Sequence, residues 1–128
     1  MGRVDPVDPF DLPDELGTGE VTWCADEGLA GHRVRGHLQP AGAAEPVVCD
    51  LLAVDEAYPA PVADDATRLL THQAWRHGQV HLVSDDGRLT VLVPGRAFTP
   101  ETVLVALTRF ARALGADPAS YAVLLRLG

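Results

Sequence analysis

Residues 64–114 read DDATRLLTHQAWRHGQVHLVSDDGRLTVLVPGRAFTPETVLVALTRFARAL, and they spell out a helix, a tight hairpin and a second helix. Asp64 or Asp65 offers a short side-chain oxygen to the unpaired amides of a first turn. Ala66, Leu69, Leu70, Gln73 and Ala74 follow at spacings of three and four, which sets them on one helix face. Gly78 ends the helix, because glycine takes the left-handed conformation at little cost. Val80 and Leu82 then alternate with Gln79, His81 and Val83. Asp86-Gly87 suits a two-residue type I′ turn, where both positions need positive φ. Leu89, Val91 and Val93 resume the inward face, opposite Arg88, Thr90 and Leu92. Thr99-Pro100-Glu101 opens the second helix: threonine caps, proline fits the first position and the acid meets the positive end of the dipole. Val103, Leu104, Leu107, Phe110, Ala111 and Leu114 form its apolar stripe, with Arg109 and Arg112 off it and Gly115 closing it. Two amphipathic helices around a hairpin imply helices covering one side of an antiparallel sheet.

Upstream, Val21, Trp23 and Ala25 alternate with Glu20, Thr22 and Cys24, the period of a half-buried strand. Residues 26–31 are turn material. Val34, Gly36 and Leu38 alternate with Arg33, Arg35 and His37 as a second strand, and residues 47–54 form a longer apolar run that suits a central one. Pro59 and Pro61 break the chain before the first helix. Beyond the second helix, Asp117-Pro118 holds a loop, and residues 121–127 read as a terminal strand or a short helix. Residues 1–19 are an acidic, proline-rich arm with Val7, Phe10, Leu12 and Leu16 interleaved, either a disordered tail or an extended arm that docks on the body or on a second subunit. The expected architecture is α+β: an antiparallel sheet of five or six strands with two main helices, in the order βββ-α-ββ-α-(β), forming a single domain over residues 20–128.

A chain of 128 residues with 47% hydrophobic content can build a core without a disulfide or metal staple. It contains no Lys, Asn or Ile, a bias of the kind a GC-rich bacterial genome leaves. The absence of lysine excludes a Schiff base and a P-loop phosphate lysine. A formal net charge of −8 and a pI near 4.9 argue against nucleic acid or an anionic membrane as partner and favour a neutral or basic protein. The apolar windows fall short of the roughly 20 residues that span a bilayer. The N-terminus lacks the basic start and apolar run of a signal peptide, so a cytoplasmic location is expected.

No motif for catalysis emerges, and no catalytic residue, metal site or cofactor is predicted. His32, His37, His72, His77 and His81 are scattered, and His72 and His77 are not the i, i+4 pair of a zinc helix. Cys24 and Cys49 each fall in a strand; they read as small buried hydrophobes in a reducing cytosol or, if the strands pair, as a redox couple. Ser84 and Ser120 lack a GxSxG context, and the Asp64-Asp65 and Asp85-Asp86 pairs are explained by capping and turn chemistry. Gly17-Thr18-Gly19 precedes a strand, whereas a phosphate loop opens a helix. Three apolar residues remain unassigned. Trp75 lies off its helix stripe and is either exposed or packed beneath residues 94–98, and Val83 and Leu92 occupy the outer face of the hairpin, so these three are the candidate partner-binding residues.

The succession of 69–78, 80–83, Asp85-Asp86-Gly87, 89–93 and Thr99-Pro100-Glu101 resembles the YbjN-like and type III secretion chaperone-like family, over about 50 residues. That family fold opens with an amphipathic helix where this chain has its proline-rich arm, and a strand after the last helix is an addition. The resemblance carries over no functional residue. It implies a non-enzymatic protein that binds peptide or protein segments, often as a homodimer. Two other expectations stand beside it: a small enzyme or metal-binding domain using histidines with Cys24 or Cys49, and a structural subunit of a larger assembly.

Overall fold

The computed structural model describes residues 4–29, 31–55 and 62–126. Its elements are β1 (Val4–Pro6), α1 (Glu15–Thr18), β2 (Val21–Gly28), β3 (Arg33–Val34), β4 (Gly36–Pro40), β5 (Val47–Val48), β6 (Asp50–Ala53), α2 (Asp65–Arg76), β7 (His81–Asp85), β8 (Arg88–Val93), α3 (Pro100–Ala113) and β9 (Tyr121–Arg126). Ala30, Pro59, Pro61 and Leu127, each part of a sequence expectation, lie outside the described residues. The signals in residues 64–114 operate where they stand. Asp64 accepts from the Thr67 amide at 2.7 Å, Thr99 caps α3, and Asp86 and Gly87 both take positive φ, at 52° and 80°.

The fold is α+β, but it holds two mixed sheets in place of the one antiparallel sheet expected. One has five strands in the order β1-β7-β8-β6-β3, the other four in the order β5-β4-β2-β9. The β6–β8 and β2–β9 pairs are parallel and all others antiparallel. The split arises because two expected strands each bend in the middle. Arg33 pairs Leu52 and Val34 pairs Leu51 in one sheet, whereas His37 pairs Val48 and Leu38 pairs Val47 in the other, so one two-stranded ribbon keeps its register while passing between sheets.

The bend is made by Trp23. A Cβ on Gly36 would stand 2.5 Å from the indole Cζ2 and 2.7 Å from the Cys24 carbonyl oxygen, so only glycine admits the ring there. The indole Nε1 donates to the Cys49 carbonyl at 2.9 Å, and the Cys49 amide donates to Gly36 O at 3.0 Å.

The main core lies between the sheets and α3. It joins Val21, Trp23, Ala25 and Leu38 to Val34, Leu51, Leu82, Val91 and Val93, with Val103, Ala106, Leu107 and Phe110 from α3. Leu104, expected on the α3 stripe, is 51% exposed, and Ala106 is buried in its place.

Helix α2 departs further from expectation. Leu69 and Leu70 are 57% and 51% exposed, Ala66 and Gln73 are exposed too, and the face turned to the protein carries Thr67, Thr71, Ala74 and Trp75. Trp75, the largest apolar side chain on the helix, packs against the main core and turns Thr71, four residues earlier, inward with it. The buried Thr71 hydroxyl is satisfied by donating to Thr67 O at 2.9 Å.

The arm docks on the body. β1 lies along β7, Leu16 is fully buried, and the Tyr121 hydroxyl donates to Leu16 O at 2.6 Å. Phe10 stays 94% exposed.

Phe110→Ala should therefore cost about 3–5 kcal/mol and Arg112→Ala under about 0.5 kcal/mol in urea unfolding. Gly36→Ala, which adds one buried carbon where the ring stands, should cost about 1–3 kcal/mol in the same assay.

Candidate binding cleft

The five-stranded sheet has a second face, turned away from α3. Strand alternation puts Val4, His81, Val83, Asp85, Arg88, Thr90, Leu92, Asp50, Leu52 and Arg33 on it. Leu52, Val54, Val83 and Leu92 form a small separate core there, with Val62 and Ala63 packed on them. The first turn of α2 stands over the same face through Asp64 and Thr67, leaving a cleft of about 540 Å³, a size that suits a small ligand or a few side chains. Leu52, Val83 and Leu92 are its apolar floor, and His32, Arg33, Arg35, Asp85 and Arg88 stand around them.

One carboxylate holds this arrangement. Asp50 is fully buried, and its oxygens accept from Arg88 Nε at 2.7 Å, Arg88 Nη2 at 3.0 Å, Arg33 Nη1 at 3.4 Å and the Gly36 amide at 3.2 Å. Arg33 continues to Asp85, so a charged chain runs across four strands from β6 to β8 and from β3 to β7. Donating to the Asp50 carboxylate raises the Arg88 pKa still further, so that guanidinium is a permanent cation.

The three candidate residues separate. Val83 and Leu92 meet beneath the cleft, each 1% exposed and packed with Val62 and Ala63, so neither presents an open apolar surface. Trp75 is elsewhere, half-buried with the Arg109 guanidinium 3.8 Å above its ring, and the same arginine donates to Trp75 O at 2.6 Å, tying α3 to the end of α2. Leu52, Asp50, Arg33, Arg35, Arg88, Val62 and Ala63 were not singled out from the sequence. Asp50 inside the apolar run 47–54 was the available signal, since a carboxylate in a central strand needs partners.

The histidines do not gather. His37 Nδ1 lies 2.6 Å from Asp26 on the four-stranded sheet, His72 Nε2 lies 2.8 Å from Asp55, and His77 caps α2. Among the described residues no three His, Cys, Asp or Glu side chains form a set that could hold a metal. Cys24 alternates with the buried Trp23 and Ala25 and so faces outward, whereas Cys49 is in the core; both thiols are free. Burial pushes the Cys49 thiol well above its ordinary pKa and the Asp50 charge adds to it, which keeps that sulfur protonated and poor as a nucleophile. Among the described residues no helix is long and apolar enough to cross a membrane. No family model, no curated protein and no solved structure matches the chain.

Asp50→Ala should cost about 3 kcal/mol, the low end for breaking a buried pair, because Arg33 and Arg88 retain some water contact. Arg35→Ala should leave the urea midpoint nearly unchanged.

Two groups make stability fall with acid. Burial lowers the His81 pKa from 6.5, so the unfolded chain takes up a proton that the folded one refuses as pH drops below that value. For Asp55, burial raises the pKa, but the His72 hydrogen bond and the Gly95 amide outweigh it and hold the carboxyl below 3.8, so its contribution is present above that value and lost in stronger acid. Thermal melts should show a midpoint that declines from pH 7 to pH 5 in the native chain and is flatter in His81→Gln.

Proposed function

We propose that this protein is a non-enzymatic, chaperone-like binding module of the cytoplasm whose cleft takes up a short extended segment of another protein. The observation that carries this reading is the cleft itself, about 540 Å³, in which Val4, Val62 and Ala63 stand beside the buried Leu52, Val83 and Leu92, and whose charged wall is braced by a fully buried carboxylate. Val4, Val62 and Ala63, none of them fully buried, supply apolar contact for one or two aliphatic or aromatic side chains. The rim alternates guanidinium and carboxylate, Arg33 and Arg88 against Asp85 and Asp64, so it suits a peptide of mixed polarity better than a polyanion.

An extended strand already lies at the mouth: β1 runs along β7, and Val4 lines the cleft. β1 thus fills the β7 edge from within the chain in the manner of strand addition, and the cleft beside it is left for the guest's side chains. With a net charge of −8, a neutral or basic segment is the favoured guest. The family resemblance of the helix–hairpin–helix unit points the same way, and the protonated, sealed Cys49 gives a thiol-based enzyme little to work with.

The test is titration of the isotope-labelled protein with short neutral and basic peptides rich in Leu, Val and Phe. Amides of β7, β8 and the first turn of α2 should shift, and Ala63→Arg, which fills the cleft from its wall, should weaken binding at least tenfold with the melting temperature unchanged. Binding that ignores Ala63→Arg, or shifts confined to other elements, would overturn the assignment.

A further inference from the structure

The four-stranded sheet ends on β9, and that edge differs from the other three. β1 has three residues, one of them Pro6, while β3 and β5 have two each. Short strands and proline are the ordinary means of closing an edge to other chains. β9 has six residues, bonds to β2 on one side, and has no strand on its other side among the described residues. Residues 121–125 read YAVLL, with no proline and no charge in a chain of net charge −8.

The packing on this side is also unfinished. Val21, Trp23 and Ala25 of β2 point into the main core and are at most 2% exposed. Their parallel neighbours Tyr121 and Val123, and Leu125 beyond them, point into the same core, yet all three remain only half-buried. On the outer face Leu124 is 59% exposed, at the end of a row that runs through Cys24 and His37 to the half-exposed Val48.

We infer that β9 is the interface of a homodimer, pairing antiparallel with β9 of a second copy about a two-fold axis perpendicular to the sheet, so that two four-stranded sheets become one of eight. A two-fold of this kind makes residues of like parity face each other. Leu124 and Ala122 meet their counterparts on the outer face, and Tyr121, Val123 and Leu125 meet theirs on the inner face, where they close the open side of both cores. A second copy is the fitting occupant because the strand is complementary to itself under this symmetry. It also lets two acidic chains approach along an uncharged segment. The pairing uses no cleft residue, so it stands or falls independently of the proposed peptide binding.

Sedimentation equilibrium of the full chain at high micromolar concentration tests it. The expected mass is twice the 13.6 kDa of one chain. Leu124→Lys, a change at an exposed position that the fold tolerates, should halve the mass while leaving the circular dichroism spectrum intact. Hydrogen exchange locates the contact: amides of residues 121–125 should lose protection on dilution or in Leu124→Lys, and those of β8 should not. A single-chain mass for the native protein overturns the proposal, including a mass that rises only when a foreign peptide is added. A doubled mass that survives Leu124→Lys overturns it as well.

Discussion

The rest of the structure depends on the approach of an indole ring to a backbone that carries no side chain. Trp23 lies where a Cβ of Gly36 would be, and its Nε1 holds the facing strand through Cys49 O. With the ring in place, the ribbon formed by residues 33–40 and 47–53 cannot continue flat, so its two halves join different sheets. The amides at the bend do not go unpaired. Cys49 donates across to Gly36, and Gly36 donates to the Asp50 carboxylate, which answers the requirement that buried backbone donors find acceptors.

The bend creates the two environments that the chain then uses. One face of the five-stranded sheet closes against the other sheet and α3, filled by aliphatic side chains and Phe110. Among the described residues the opposite face receives the first turn of α2 with Val62 and Ala63, which bury Leu52, Val83 and Leu92 but leave a cleft beside them. The cleft is thus a consequence of unequal coverage. Its position beside the bend brings the same carboxylate, Asp50, to both.

Features decided by local contacts were legible in the sequence. Asp64, Thr99 and the Asp86-Gly87 turn act through neighbours within three residues, so capping and turn chemistry locates them without knowledge of the fold. The two sheets were not legible, because the alternation of residues 33–38 and 47–54 is the same in a straight strand and in a bent one. The bend is imposed by a tryptophan 26 residues from its hydrogen-bond acceptor. The α2 face was misread for a similar reason: Leu69 and Leu70 outweigh Thr67 and Thr71 in any count of hydrophobicity, but the anchor is Trp75, fixed from α3 by Arg109. At the cleft, Val83 and Leu92 stood out as apolar residues on an outward face. Leu52 and Asp50 reach them only through the parallel β6–β8 pairing, which no short-range signal reports.

A buried ion pair is weak evidence for stability by itself, since two apolar side chains of similar volume often serve as well. Asp50 is a case where that exchange fails on geometric grounds. A leucine there would remove the acceptor of the Gly36 amide at the one point where the ribbon needs a side chain to complete its hydrogen bonds. It would also release Arg88 and Arg33, whose side chains cross the cleft face and keep one-quarter to one-third of their surface in water. The carboxylate therefore couples three things that an apolar residue would leave separate: the turn between sheets, the orientation of the guanidiniums and the polarity around the apolar floor. The fold tolerates the desolvation of this one acid because it holds four hydrogen bonds, and the position of the cleft follows from where those four donors come from.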